Sequence, residues 1–83
     1  MALSYIFKGE PVLAARYTGS PGSVNAIMDM IGTMGVNNTE LGLLINRSSP
    51  TYVKRGQWVV KLPQWKWWWI VEPKTFEAEY EKA

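Results

Sequence analysis

Trp65, Trp67, Trp68 and Trp69 crowd into five positions, with a fifth tryptophan at Trp58, in a chain of only 83 residues. The run Lys66-Trp-Trp-Trp-Ile-Val71 reads as a β-strand, because aromatic and β-branched side chains suit a pleated surface. Successive side chains on a strand point to opposite sides. Trp67, Trp69 and Val71 therefore face one way, and Trp68 and Ile70 the other. No one surface holds the whole cluster. A buried Trp removes roughly 200 Å² from water, about 5 kcal/mol at ~25 cal/mol/Å². The chain must cover both sides of its sheet or leave some of that area to a partner, since monomers rarely expose large apolar patches.

Composition narrows the chemistry. At 47% apolar and 19% charged residues, the chain reads as one folded domain over residues 1–83. It has no Cys and no His, so disulfides, a thiol nucleophile, an imidazole base and the common zinc and haem sites are excluded. Carboxylates and hydroxyls remain. Glu77, Glu79 and Glu81 scatter around a helix rather than pairing as acid and base. Gly19-Ser-Pro-Gly-Ser23 precedes a helix but lacks the spacing of a phosphate-binding loop, and capping explains it. No enzyme, metal or cofactor is expected. The net charge of +2 comes without a block of like charges, which argues against a polyanion-binding tail. The N-terminus has no signal-peptide pattern, and the longest apolar run, Trp67–Val71, is far short of a membrane span.

Along the chain, Tyr5–Phe7 reads as a short edge strand or an extended lead-in, and Lys8-Gly-Glu10 as the turn that follows. Pro11–Thr18 reads as a strand with Val12, Ala14 and Arg16 on one face and Leu13, Ala15 and Tyr17 on the other. Ser20 or Ser23 caps a helix carrying Val24, Ile27, Met28, Ile31 and Met34 at helical spacing, ending at Gly32 or Gly35. Met30 falls off that stripe and belongs to core filler or an adaptable contact surface. Asn37–Thr39 reads as a loop and Glu40–Asn46 as a strand interrupted by Gly42, closed by Arg47-Ser-Ser-Pro50. Tyr52–Lys54 enters a tight Arg55-Gly56 turn or bulge, Gln57–Leu62 leaves it, and the chain returns through the tryptophan strand. After Glu72-Pro73, residues 74–82 read as a terminal helix with Phe76 and Tyr80 on one face.

Three stretches carry a resemblance. Glu10-Pro-Val-Leu-Ala-Ala-Arg-Tyr-Thr-Gly19 resembles the opening strand of a family of small uncharacterised tailed-bacteriophage proteins. Val53-Lys-Arg-Gly-Gln-Trp-Val-Val60 is similar to that family's Pro-Gly-Asp-Trp-Ile-Val turn. Glu72-Pro-Lys-Thr-Phe-Glu-Ala-Glu-Tyr-Glu81 is similar to its closing Lys-Pro-x-x-Phe-x-x-x-Tyr-Glu. The matches cover about a third of the chain, in the family's order. Arg55 and Gln57 replace the family's Pro and Asp around the turn glycine. Gln64–Trp69 replaces a Gly-rich connection and a Glu-Phe-Tyr strand. The resemblance implies a phage origin and action in the host cytoplasm, and carries no established activity with it.

The expected fold is a small single α+β domain: a curved antiparallel sheet of three to five strands, one amphipathic helix packed on it, and a short C-terminal helix. The expected function is non-enzymatic binding of a protein partner, a host bacterial protein or a second copy as a homo-oligomer. The expected contact residues are Trp58, Trp65, Trp67, Trp68, Trp69, Arg55 and Lys66, since Trp and Arg dominate binding hot spots. The alternative is a small-ligand or single-stranded nucleic-acid module, with bases stacked on Trp67–Trp69 beside Lys61 or Lys66.

Overall fold

The computed structural model describes residues 3–32, 36–45, 50–64 and 66–83. The chain is α+β, with two antiparallel sheets and two helices. β1 (Leu3–Phe7) and β2 (Glu10–Arg16) form a hairpin in which Phe7 pairs with Glu10. Lys8 and Gly9 alone make the turn, at φ 51° and 81°. Positive φ at both central positions matches the twist of the flanking strands. β1 is not an edge strand: it lies between β2 and the C-terminal strand in the order β7-β6-β2-β1-β8.

Helix α1 (Pro21–Ile31) starts as the sequence predicts. The Ser20 hydroxyl accepts from the Ser23 N–H at 3.2 Å, Pro21 occupies the first turn, and the Gly32 N–H closes onto the Met28 carbonyl at 2.8 Å. Its buried residues are Ala26, Ile27 and Met30. Met30 is thus core and not contact surface. The buried arc is wider than one sheet would require, because Met30 shares a cluster with Leu43, Ile45 and Val53 of the second sheet. Met34 and Gly35 lie outside the described residues.

That second sheet is β3 (Val36–Thr39), β4 (Gly42–Ile45) and β5 (Thr51–Val53), in that order. The stretch Asn37–Thr39 is therefore strand, not loop. Its poor β propensity is offset by hydrogen bonds. Asn38 accepts from the hydroxyl of the fully buried Tyr17 and donates to the Gly19 carbonyl at 3.2 Å. Thr39 donates to the Gly42 carbonyl at 2.7 Å across the turn. Gly42 has a close-approach role, because a Cβ there would stand 2.5 Å from the Val53 carbonyl oxygen. The expected closing segment Arg47–Ser49 lies outside the described residues.

The Arg55-Gly56 turn carries the chain between sheets instead of closing a hairpin. β5 belongs to one sheet, while β6 (Trp58–Lys61) pairs with β2 and β7 (Trp68–Val71) in the other. Tyr17 and the turn exchange backbone bonds, Gly56 N–H to Tyr17 at 2.8 Å and Tyr17 N–H to Gln57 at 2.9 Å, which prolongs the β2–β6 ladder. The terminal helix is shorter than the sequence predicts. α2 (Pro73–Glu79) ends where Tyr80 begins β8 (Tyr80–Lys82), opposite Phe7 of β1. A seven-residue helix has little stability of its own. The stacking of Tyr80 on Phe7, centroids 4.5 Å apart, favours a strand for the last residues. No helix among the described residues is long and apolar enough to cross a membrane.

Candidate functional site

The tryptophan hairpin sits at one end of the five-stranded sheet. Val60 pairs with Trp69 and Lys61 with Trp68, and the ladder extends to a bond of 3.4 Å from the Leu62 N–H to the Trp67 carbonyl. Parity then sorts the side chains. Trp68 and Ile70 pack against the cluster that holds α1 and the second sheet, and Trp68 makes further contacts inside the chain. Trp69 and Val71 join the cluster on the opposite side.

That opposite side is a column of rings. Trp58 stacks on Phe76 at 3.8 Å and 4°, Phe76 on Tyr80 at 4.6 Å and 10°, and Tyr80 on Phe7 at 4.5 Å and 14°. Tyr5 meets Trp58 and Phe76 edge-on. The Trp69 indole N–H donates to the Tyr80 hydroxyl at 3.0 Å. Burial pushes the Tyr80 hydroxyl above its ordinary pKa, Trp69's bond opposes that rise, and the Glu79 carboxylate adds to it. Phe76 and Tyr80 cover this side of the sheet together, though one comes from a helix and the other from a strand.

The seven residues expected at a contact surface therefore occupy different places. Trp58 and Trp69 are half-buried in the ring column, and Trp68 is half-buried on the α1 side. Trp67, beside the hairpin turn, is 70% exposed, and its neighbour Lys66 is exposed with it. Trp65 lies outside the described residues. Arg55 is exposed at the other end of β6, with its Nε only 2.7 Å from where a Cβ on Gly19 would stand. β6 separates Arg55 from Trp67 by the length of a strand, so these two do not share a surface. Lys61 bonds through its ammonium to the Leu62 carbonyl at 3.1 Å.

Two concavities flank the hairpin. A small one of about 120 Å³ lies against Pro11, Leu62 and Pro63. A shallow groove of about 350 Å³ runs between β7 and α2, against Ile70, Val71, Thr75 and Glu79. The sequence reading missed Leu41, 74% exposed, and Tyr52, 43% exposed. Tyr52 stands directly opposite Leu44 on the outer side of the second sheet. Alternation in Thr51-Tyr-Val53 held that signal, since Val53 is buried. The Ser20 and Ser23 hydroxyls are engaged in capping α1. Among the described residues no three Asp or Glu side chains come together as a metal cluster. Comparison with protein-family models, curated proteins and solved structures gives no match.

Proposed function

We propose that this protein is a non-enzymatic binding module that engages a protein partner through the tip of the β6–β7 hairpin, with Trp67 as anchor and Lys66 beside it. The observation that carries this is the 70% exposure of Trp67 in a chain that packs Trp58, Trp68 and Trp69 into its own clusters. An indole left in water is a reserve of binding energy, on the order of 5 kcal/mol if a partner covers it fully. Its backbone is held in the ladder by Leu62. A partner therefore meets a preorganised group, which lowers the entropy cost of association. Together with the resemblance to tailed-phage proteins, this supports a phage accessory protein that binds a host factor in the bacterial cytoplasm.

Affinity capture from a bacterial lysate tests it. Trp67→Ala is expected to empty the set of captured proteins, while a variant at the remote Arg55 keeps it. An unchanged set with Trp67→Ala would overturn the reading. Quenching of tryptophan fluorescence by single-stranded oligonucleotide, abolished by salt, would replace it with base stacking.

A further inference from the structure

The groove between β7 and α2 is aromatic on one side and acidic on the other. Phe7, Trp69 and Tyr80 supply rings, Thr75 and Glu79 line it from α2, and Glu72 stands where β7 turns into the helix. Thr75 and Glu79 are four residues apart, which brings both to one helix face. The charged residues lining the groove, Glu72 and Glu79, are both carboxylates, and both are exposed. The charge of Glu79 is felt among the rings. Burial is the first cause of the raised Tyr80 pKa, and the Glu79 carboxylate adds to it. The Trp69 indole N–H is bonded to the Tyr80 hydroxyl at 3.0 Å, so these two rings are held before anything binds.

We infer that the β7–α2 groove receives a Lys or Arg side chain of the protein partner that covers Trp67, with the Trp69 ring on one side of it and the Glu79 carboxylate on the other. Charge complementarity chooses this occupant. Ring faces attract a cation, and the aliphatic stem of Lys or Arg lies against apolar surface. An apolar residue would desolvate the Glu79 carboxylate with nothing in return, and an acidic one would be repelled. The chain already uses this chemistry once, since the Lys8 ammonium stands 5.2 Å from the centroid of Phe7. A second cation at the Phe7 end would meet Lys8, so the place for it lies further along, between Trp69 and Glu79. Trp67 precedes Trp69 by two residues on the same face, roughly 7 Å away at about 3.4 Å per residue. One contact segment therefore reaches both.

The inference rests on reading the hairpin as a protein-binding element and names the chemistry its partner must carry. Titration of the purified protein with acetylated, amidated octapeptides of lysine, of arginine and of glutamate, followed by tryptophan fluorescence, tests it. The two basic peptides are expected to change the emission and saturate, and the acidic one to leave it unchanged. Glu79→Gln should weaken basic-peptide binding by about fivefold, because it removes the carboxylate half of a charge-assisted contact. Thr75→Arg should abolish it by placing a resident cation in the groove. Glu77→Gln, on the same helix but outside the groove, should leave it nearly unchanged. Thr75, Glu77 and Glu79 are all exposed, so these variants are expected to keep the fold, which circular dichroism checks. Should Thr75→Arg fail to fold, Glu79→Gln set against Glu77→Gln carries the test.

Absence of basic-peptide binding overturns the inference, as does equal binding of the glutamate peptide. Equal losses in Glu77→Gln and Glu79→Gln overturn it too, since they mean attraction to an acidic helix at large. In capture from a bacterial lysate, loss with Trp67→Ala but not with Glu79→Gln overturns the groove alone. Loss with Glu79→Gln but not with Trp67→Ala overturns the Trp67 anchor and leaves the groove.

Discussion

The two sides of the five-stranded sheet are packed by different chemistry. On one side, aliphatic residues dominate: Ala15, Ile27, Leu43, Ile45, Val53 and Val59 are buried under an eleven-residue helix and a second sheet. On the other, a seven-residue helix with no side-chain cap holds its place through rings. α1 has a cap at each end and several apolar contacts, so its position is over-determined. α2 contributes one buried residue, Phe76, and the rings of Tyr5, Trp58 and Tyr80 all meet it. Short elements are stabilised by tertiary packing and not by propensity. The aromatic side is therefore the one that a single substitution can dismantle.

The largest effect follows from Phe76→Ala. Truncating a buried Phe costs about 3–5 kcal/mol, a large share of a typical domain's stability of roughly 5–15 kcal/mol. It should release α2 and β8 before the rest, read as early amide exchange in residues 73–82 with α1 still protected. Ile27→Ala, about 2–5 kcal/mol, should instead lower protection throughout. Uniform loss of protection in the Phe76 variant would erase the contrast between the two sides. A smaller effect comes from Trp69→Phe, which keeps a ring on the aromatic side but removes the donor to Tyr80. About 1 kcal/mol is expected from one such bond, seen as a shift in urea midpoint at unchanged slope. A loss as large as that of Phe76→Ala would mean that the bond, and not the rings, holds this side.

Much of this contrast was legible in the chain. Alternation in Pro11–Thr18 and in Trp67–Val71 assigned faces correctly, because a strand's side-chain period depends only on backbone geometry. Ser20, Pro21 and Gly32 marked α1 because capping is a local interaction. Other features depended on distant residues. Asn37 and Asn38 have the composition of a loop, and bonds to the buried Tyr17 hydroxyl, twenty-one positions away, and to the Gly19 carbonyl hold Asn38 in a strand. Tyr80 fits helical spacing after Phe76, and only Phe7 at the other end of the chain turns it into β8. For the candidate site, parity separated Trp68 from Trp67 and Trp69 but gave no order of exposure within the pair. Trp69 is covered because Tyr80 reaches it, and Trp67 is not because it stands beside the hairpin turn.

The smallest expected effect concerns pH, and it too belongs to the aromatic side alone. Tyr80 has its pKa raised in the folded chain, first by burial, against the bond from Trp69 and with help from Glu79. A free tyrosine titrates near 10. The folded state therefore holds the Tyr80 proton more tightly than the unfolded state does. Below about pH 10 both states are protonated and the stabilisation is complete. As pH rises past that point, the unfolded chain ionises first, so stability falls until the folded pKa is passed. Urea unfolding at a series of alkaline pH values should show this decline, with a shallower slope in Tyr80→Phe. The comparison between the two proteins cancels the lysines and the other tyrosines that titrate in the same range. Equal slopes would mean that the ring column admits water at Tyr80, and that the aromatic side is no drier than the surface.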